Sequence, residues 1–363
     1  MFGERLGSAA LALFLISQFI LSSLYSPFIF IGWFALGVAV ICRYLAPNKI
    51  ERPRWVLWLL IILLGCHAGG VAGAAVWGNG NWVLTAGMVL WMAPLPLVYW
   101  VVDHHIRRWL CVFALIHALF IIVQGFTNYH YVESILVWEG NPTGFSHNKN
   151  LAAGLLVMCL PLTSNGRWRW ASLILLAGVI FTGSRWGAGV GLLLAVAMAA
   201  RGTIPWRWAL GGTAVFIGAV ILIGIITPGS HVLAGYNSVG NGLVVLRDIE
   251  VRLGTTGWPN LLPYGLAETN GLHNVPLRMA TEFGIIAAVI WVGLTAWSLT
   301  RQRFSPVWWM MVGIVLLSML DHYTWRPHLA GFWWVSLGVL ASTSSCSRRI
   351  SRSCAADTFK RST

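Results

Sequence analysis

The chain has 363 residues, of which 57% are hydrophobic and 10% charged, with a formal net charge of +13. A soluble domain carries roughly a quarter charged residues, so a water-solvated fold is excluded and lipid becomes the expected solvent. The basic excess invites nucleic acid as a partner, but no nucleic-acid motif accompanies it, and the placement of the charges assigns them to membrane topology instead.

Apolar runs near the ~20 residues that cross a hydrocarbon core of about 30 Å recur along the chain. They predict twelve spans, at about 8–24, 27–44, 55–77, 82–102, 109–126, 149–163, 168–182, 186–200, 208–226, 284–300, 306–320 and 329–342. The first run is too long for a signal-peptide core and is followed at once by a second, so it reads as a retained helix. Residues 1–342 therefore form one all-α polytopic transmembrane domain, and 343–363, rich in Ser and Arg, a disordered cytoplasmic tail.

With the amino terminus inside, 18 of the 24 basic residues fall on the cytoplasmic side. Only Lys149, Arg185, Arg247, Arg252, Arg278 and Arg326 lie outside, and each inner connection holds at least two basic residues. That bias predicts both ends in the cytoplasm and makes membrane lipid, not nucleic acid, the partner of the inner charges. The 22 tryptophans include the pairs Trp168/Trp170 and Trp206/Trp208 at predicted span ends, where indole rings anchor at headgroup level. The six cysteines lie in apolar runs or the tail, without metal-ligand spacing, and imply no disulfide framework. No cofactor motif is present and metal binding is not expected.

Two outward segments are long, about 127–148 and about 227–283. In the second, Leu243 to Leu253 is predicted as a short helix ended by Gly254, with Asp248 and Arg252 paired at i, i+4. Asn274 is predicted to cap a helix that passes through Pro276 into the tenth span, with Arg278 and Glu282 on one face.

Candidate chemistry follows from these positions. The stretch from Trp168 to Ala200 has arginines at both ends and must go out and return, so each leg spans only about 22 Å at 1.5 Å per residue. The turn Gly183-Ser184-Arg185 then sits at or below the outer boundary, where a guanidinium forms an anion site or reaches to headgroups. Arg247 presents a planar fork suited to a diphosphate, or pairs locally with Glu250. His273, ahead of the predicted helix, is a candidate base or a hydrogen-bonding residue. Glu282 is a second candidate base but is spaced to pair with Arg278. Ser146, His147, Asn148, Lys149 and Asn150 line an outer cavity or cap the sixth span. Asp321, His322, Arg326 and His328 form a further polar turn, read as structural.

Three segments carry a family resemblance: Gly144-Phe145-Ser146-His147-Asn148-Lys149-Asn150-Leu151-Ala152, then Thr182-Gly183-Ser184-Arg185, then His273-Asn274 with Glu282-Phe283-Gly284-Ile285-Ile286. In this order they resemble the signature regions of the O-antigen ligase/polymerase superfamily, and the likeness covers about residues 140–342. Val251 departs from it, standing where the family often has a Trp.

The resemblance implies a fold of the C-type membrane glycosyltransferases with a large periplasmic loop before the tenth helix, in a bacterial inner membrane. It implies metal-independent transfer from a polyprenyl-diphosphate-linked glycan donor to a lipid A-core or glycan acceptor on the periplasmic face. Carried over to this chain, Arg185 and Arg247 hold the diphosphate, Lys149 and Arg278 assist in donor binding, and His273 acts near the acceptor hydroxyl. A transporter of lipid-linked oligosaccharide or polysaccharide is the alternative; it calls for paired repeats with broken helices.

Overall fold

The computed structural model describes residues 2–20, 28–46, 50–77, 90, 92–127, 142–146, 148–164, 168–226, 274–320 and 327–342. These are mostly helical, with no strand among them. The helices are α1 (Phe2–Ile20), α2 (Phe28–Leu45), α3 (Arg54–Trp77), α4 (Leu95–Val101), α5 (Ile106–Thr127) and α6 (Lys149–Cys159), which tightens into a 3-10 turn (Leu160–Thr163). They continue with α7 (Arg169–Phe181), α8 (Arg185–Ala200), α9 (Trp206–Ile226), α10 (Val275–Glu282), α11 (Ile285–Leu299), α12 (Pro306–Leu320) and α13 (Pro327–Ala341). The predicted apolar runs thus coincide with helices. The first is displaced toward the amino terminus, and only the second half of the fourth lies among the described residues.

Arg54–Gly73 and Ile106–Thr127 are each long and apolar enough to cross a hydrocarbon core. The distribution of side chains is inverted relative to a water-soluble protein. Phe30, Phe34, Trp58, Leu210 and Val289 are all more than 60% exposed, while Gln18, His67, His117 and Gln124 are buried. Large apolar side chains outside and polar ones inside suit a bundle whose solvent is hydrocarbon.

Helix α6 is the hub. Every residue from Leu151 to Cys159 is buried, and α5, α7, α8, α12 and α13 all pack against it. Small residues allow the close approaches, as in other lipid-solvated bundles: Gly187 of α8 faces the Ala153 methyl of α6, and Gly178 of α7 faces Ala118 of α5 and Leu156 of α6.

The bundle has two chemically different ends. At the lower end, where α6 finishes, arginines bond the free carbonyls of helix termini, which otherwise lack partners. Arg52 donates to the carbonyls of Trp100, Val102 and Gly338 and lies over the Tyr99 ring; burial lowers its pKa to about 10, so the side chain stays cationic at neutral pH. Arg107 Nε donates to Leu162 O at 2.8 Å, and Gln302 reaches the carbonyls of Val339, Leu340 and Ser342. These arginines tie together segments far apart in sequence.

The tenth apolar segment differs from expectation. A continuous helix from Asn274 is predicted; instead α10 ends at Glu282 and α11 starts at Ile285, with Gly284 at φ 88° and ψ 159°. That region of backbone space is open essentially to glycine alone. The break rests on α3, where Phe283 stacks on His67 with ring centroids 4.0 Å apart and Gly70 leaves room for the Glu282 carbonyl and the Phe283 ring. Gly284→Ala is expected to cost about 1–3 kcal/mol through that φ alone, measured as lost unfolding free energy in detergent; an unchanged value shows the joint to be unstrained.

Candidate functional site

Two of the three resembling segments are joined at the upper end, where α6 begins, and the third lies at the same end. In the first, Asn148 is the cap of α6: its Oδ1 accepts from the backbone N–H of Asn150 (2.7 Å) and of Leu151 (3.4 Å). Ser146 Oγ accepts from Asn148 N–H at 3.2 Å, fixing the approach to the cap. Capping, one of the two roles expected for Ser146 and Asn148, is thus filled, and it leaves Lys149 and Asn150, both half-buried, on the first turn.

In the second segment, the turn between α7 and α8 lies inside the protein, with Thr182 and Ser184 buried and Gly183 at φ 68°. Thr182 Oγ1 accepts from Ser184 N–H (3.1 Å), and Ser184 Oγ caps α8 by accepting from Gly187 N–H (3.3 Å). The legs have 13 and 16 residues, close to the length expected, and Arg185 is the half-buried first residue of α8.

One hydrogen bond joins the two segments: Ser184 Oγ donates to Asn150 Oδ1 at 2.8 Å. It sets the Arg185 turn beside the Lys149 turn, across the close contact of Gly187 with Ala153. Such a buried pair contributes about 1 kcal/mol. A double-mutant cycle on Ser184→Ala and Asn150→Ala is expected to return a coupling of that order in unfolding free energy, whereas strictly additive losses mean the two turns are held independently.

The third segment reaches the same end through α12. Trp309, near the start of α12, donates from Nε1 to Thr203 Oγ1 just beyond the lower end of α8 (3.1 Å), so α12 runs from the lower end to the upper. At its finish, Asn274 Nδ2 donates to Met319 O at 3.3 Å, while Asn274 Oδ1 caps α10 by accepting from Leu277 N–H at 3.0 Å. One turn on, Arg278 and Glu282 are buried and paired, Nε to Oε2 at 2.8 Å. The expected cap and ion pair are both present.

Sequence reasoning overlooked two residues on α5. Gln124 Oε1 accepts from Gly144 N–H (2.8 Å), and His117 Nδ1 accepts from Phe145 N–H (3.2 Å). Phe145 stacks between His117 and Phe120, and Gly144, at φ 62°, lies against the His117 ring. The signal was two polar residues seven apart on one face of an otherwise apolar helix, a spacing that marks a buried polar contact.

Arg247, Arg252, His273 and His147 lie outside the described residues, as do the predicted helix Leu243 to Leu253, Asp321, His322, Arg326 and the tail from 343. The arrangement that is described is a cluster of polar turns at one end of the bundle, with Lys149, Arg185 and Arg278 as its cationic groups. Of the basic residues between Glu139 and Asp248, a stretch with no acidic residue, Lys149 and Arg185 are the two described at this end, and side by side they favour an anionic ligand. No family model matches the chain and no curated protein matches it.

Proposed function

We propose that the protein is a metal-independent glycosyltransferase of the O-antigen ligase/polymerase type. It transfers a polyprenyl-diphosphate-linked saccharide to an acceptor on the periplasmic face of a bacterial inner membrane. The observation that carries the reading is the convergence of three segments, separated by up to about 130 residues in sequence, on one end of the bundle. These are the segments that resemble the superfamily's signature regions.

The arginines at the opposite end, Arg52 and Arg107 among them, support the twelve-span arrangement with both termini in the cytoplasm, because a cytoplasmic end is where basic residues accumulate. The polar turns then face the periplasm. Arg185 and Arg247 receive the diphosphate, with Lys149 and the part of Arg278 not engaged by Glu282 completing the electrostatic cradle. The acceptor hydroxyl oxygen bonds to the anomeric carbon as the bond from that carbon to the diphosphate oxygen breaks. The electron pair leaves with polyprenyl diphosphate, the hydroxyl proton passes to the His273 imidazole, and the anomeric configuration inverts. Guanidinium groups fixed beside the departing diphosphate stabilise its developing charge without a Lewis acid.

Membranes containing the protein, supplied with polyprenyl-diphosphate glycan with and without lipid A-core, separate the two acceptor classes. Transfer that requires lipid A-core identifies a ligase, elongation of the donor glycan without it identifies a polymerase, and no new glycosidic bond in either arm rejects the enzyme. One observation favours a second reading: the break between α10 and α11 is the kind of discontinuous helix found at transporter binding sites. A transporter of lipid-linked glycan is the alternative function.

A further inference from the structure

At the lower end, opposite the polar turns, the 3-10 turn, the first turns of α7 and α9 and the last turns of α8 line a small, open recess. Its floor is apolar, with Leu176 and Met198, and its polar lining is Ser164, Arg169, Ser172 and Trp208.

Two of those groups are unusual. Arg169 Nε and Trp208 Nε1 are buried and have no hydrogen-bond acceptor among the described residues. A buried N–H without an acceptor costs about 1–3 kcal/mol, more where the group is charged, so two in one recess call for an acceptor that enters from outside the protein. Neither serine of the lining accepts from these two N–H groups; Ser164 Oγ donates to Pro161 O at 2.7 Å, and Ser172 Oγ to Arg169 O at 2.6 Å.

No carboxylate exists between Glu139 and Asp248, so none of α6 to α9 brings one to neutralise the Arg169 guanidinium, and an anionic acceptor suits the recess. The recess also opens among headgroup-level anchors: Trp170 and Trp206, beside Arg169 and Trp208 in sequence, are half exposed, at 50% and 51%.

We infer that this recess binds a phosphate group, with Arg169 and Trp208 donating to its oxygens, and that the phosphate belongs to the headgroup of an anionic phospholipid in the adjoining leaflet. A guanidinium with an indole N–H suits a phosphodiester: one supplies charge and a planar donor edge, the other a neutral donor that fixes direction. The site is separate from the proposed transfer chemistry at the other end of the bundle, and it stands or falls without it.

The test uses the full-length protein in detergent and reads saturable thermal stabilisation by short-chain phosphatidylglycerol, by diacylglycerol of the same chain length, and by inorganic phosphate. Wild-type protein is expected to respond to phosphatidylglycerol and not to diacylglycerol, with affinity falling at least about tenfold in Arg169→Gln and in Trp208→Phe. The second variant keeps the ring and its packing and deletes only the donor, so it carries the test even where the first fails to fold. A matching response to inorganic phosphate at similar concentration assigns the site to a free anion and keeps the donors' role. Equal affinity in wild type and Trp208→Phe, or a diacylglycerol response equal to that of phosphatidylglycerol, overturns the proposal.

Discussion

Arg185→Ala is expected to lower glycan transfer by about 10²–10³-fold, the scale on which removal of one preorganised donor to a developing anion acts. Arg185 opens α8 immediately after a buried cap, and the Ser184 hydroxyl that makes the cap also bonds Asn150. The guanidinium is therefore carried by a turn that cannot drift, which is the condition under which a charge stabilises a leaving group without reorganising. Arg185→Lys keeps the charge and loses the fork, so an intermediate rate is expected. The cap, the Gly183 turn and the Gly187 approach all survive either substitution, so melting temperature should stay within a few degrees of wild type. A variant that transfers normally removes Arg185 from the mechanism, and one that fails only because it unfolds gives the residue a structural role.

Glu282→Ala is expected to cost about 3–5 kcal/mol of stability, because it leaves the buried Arg278 guanidinium without its counter-charge. The pair is inside the bundle, with 9% and 5% of the two side chains exposed, and water screens it little. Glu282 is the last residue of α10, next in sequence to the Phe283 that stacks on His67, so its loss should loosen the joint between α10 and α11. The double substitution Arg278→Met with Glu282→Leu removes both charges and should recover much of the loss. Chemical unfolding in detergent micelles reads both: a single variant as stable as wild type, or a double variant no better than the single one, shows that the charges are not coupled.

What was legible in the sequence was local. Asn274 is readable as a cap, and capping is one of two roles open to Asn148, because a short polar acceptor ahead of an apolar run can close on its own first turn. The pairing of Arg278 with Glu282 followed from a spacing of four on a helix. Likewise, the short legs on either side of Gly183 were readable from the arginines that bound them.

The features that escaped depend on contacts between distant segments. The link of Ser184 to Asn150 spans 34 residues, and the seats of Gly144 and Phe145 are made by α5, twenty and 28 residues earlier. No periodicity encodes those partners. The break at Gly284 was hidden by the apolar run around it: a glycine between Phe283 and Ile285 reads as part of a span until its φ is known. Arg52 and Arg107 were read as topology signals because charge counting is blind to the carbonyls that α4, α13 and the 3-10 turn present to them. Arg247 and His273 lie outside the described residues, and their roles are read from residue type, from position in the large loop and from the family resemblance.

On the proposed function, this bundle makes a glycosidic bond at the end where its polar turns lie. Purified protein in proteoliposomes, given polyprenyl-diphosphate glycan, an acceptor glycan and excess chelator, tests it most directly when the lipid and glycan products are resolved separately. The expected result is chelator-resistant formation of a new, inverted glycosidic bond with release of polyprenyl diphosphate, lost in Arg185→Ala, Arg247→Ala and His273→Ala. Donor that crosses the bilayer with its diphosphate linkage intact, and no new bond, would contradict it and make the protein a transporter.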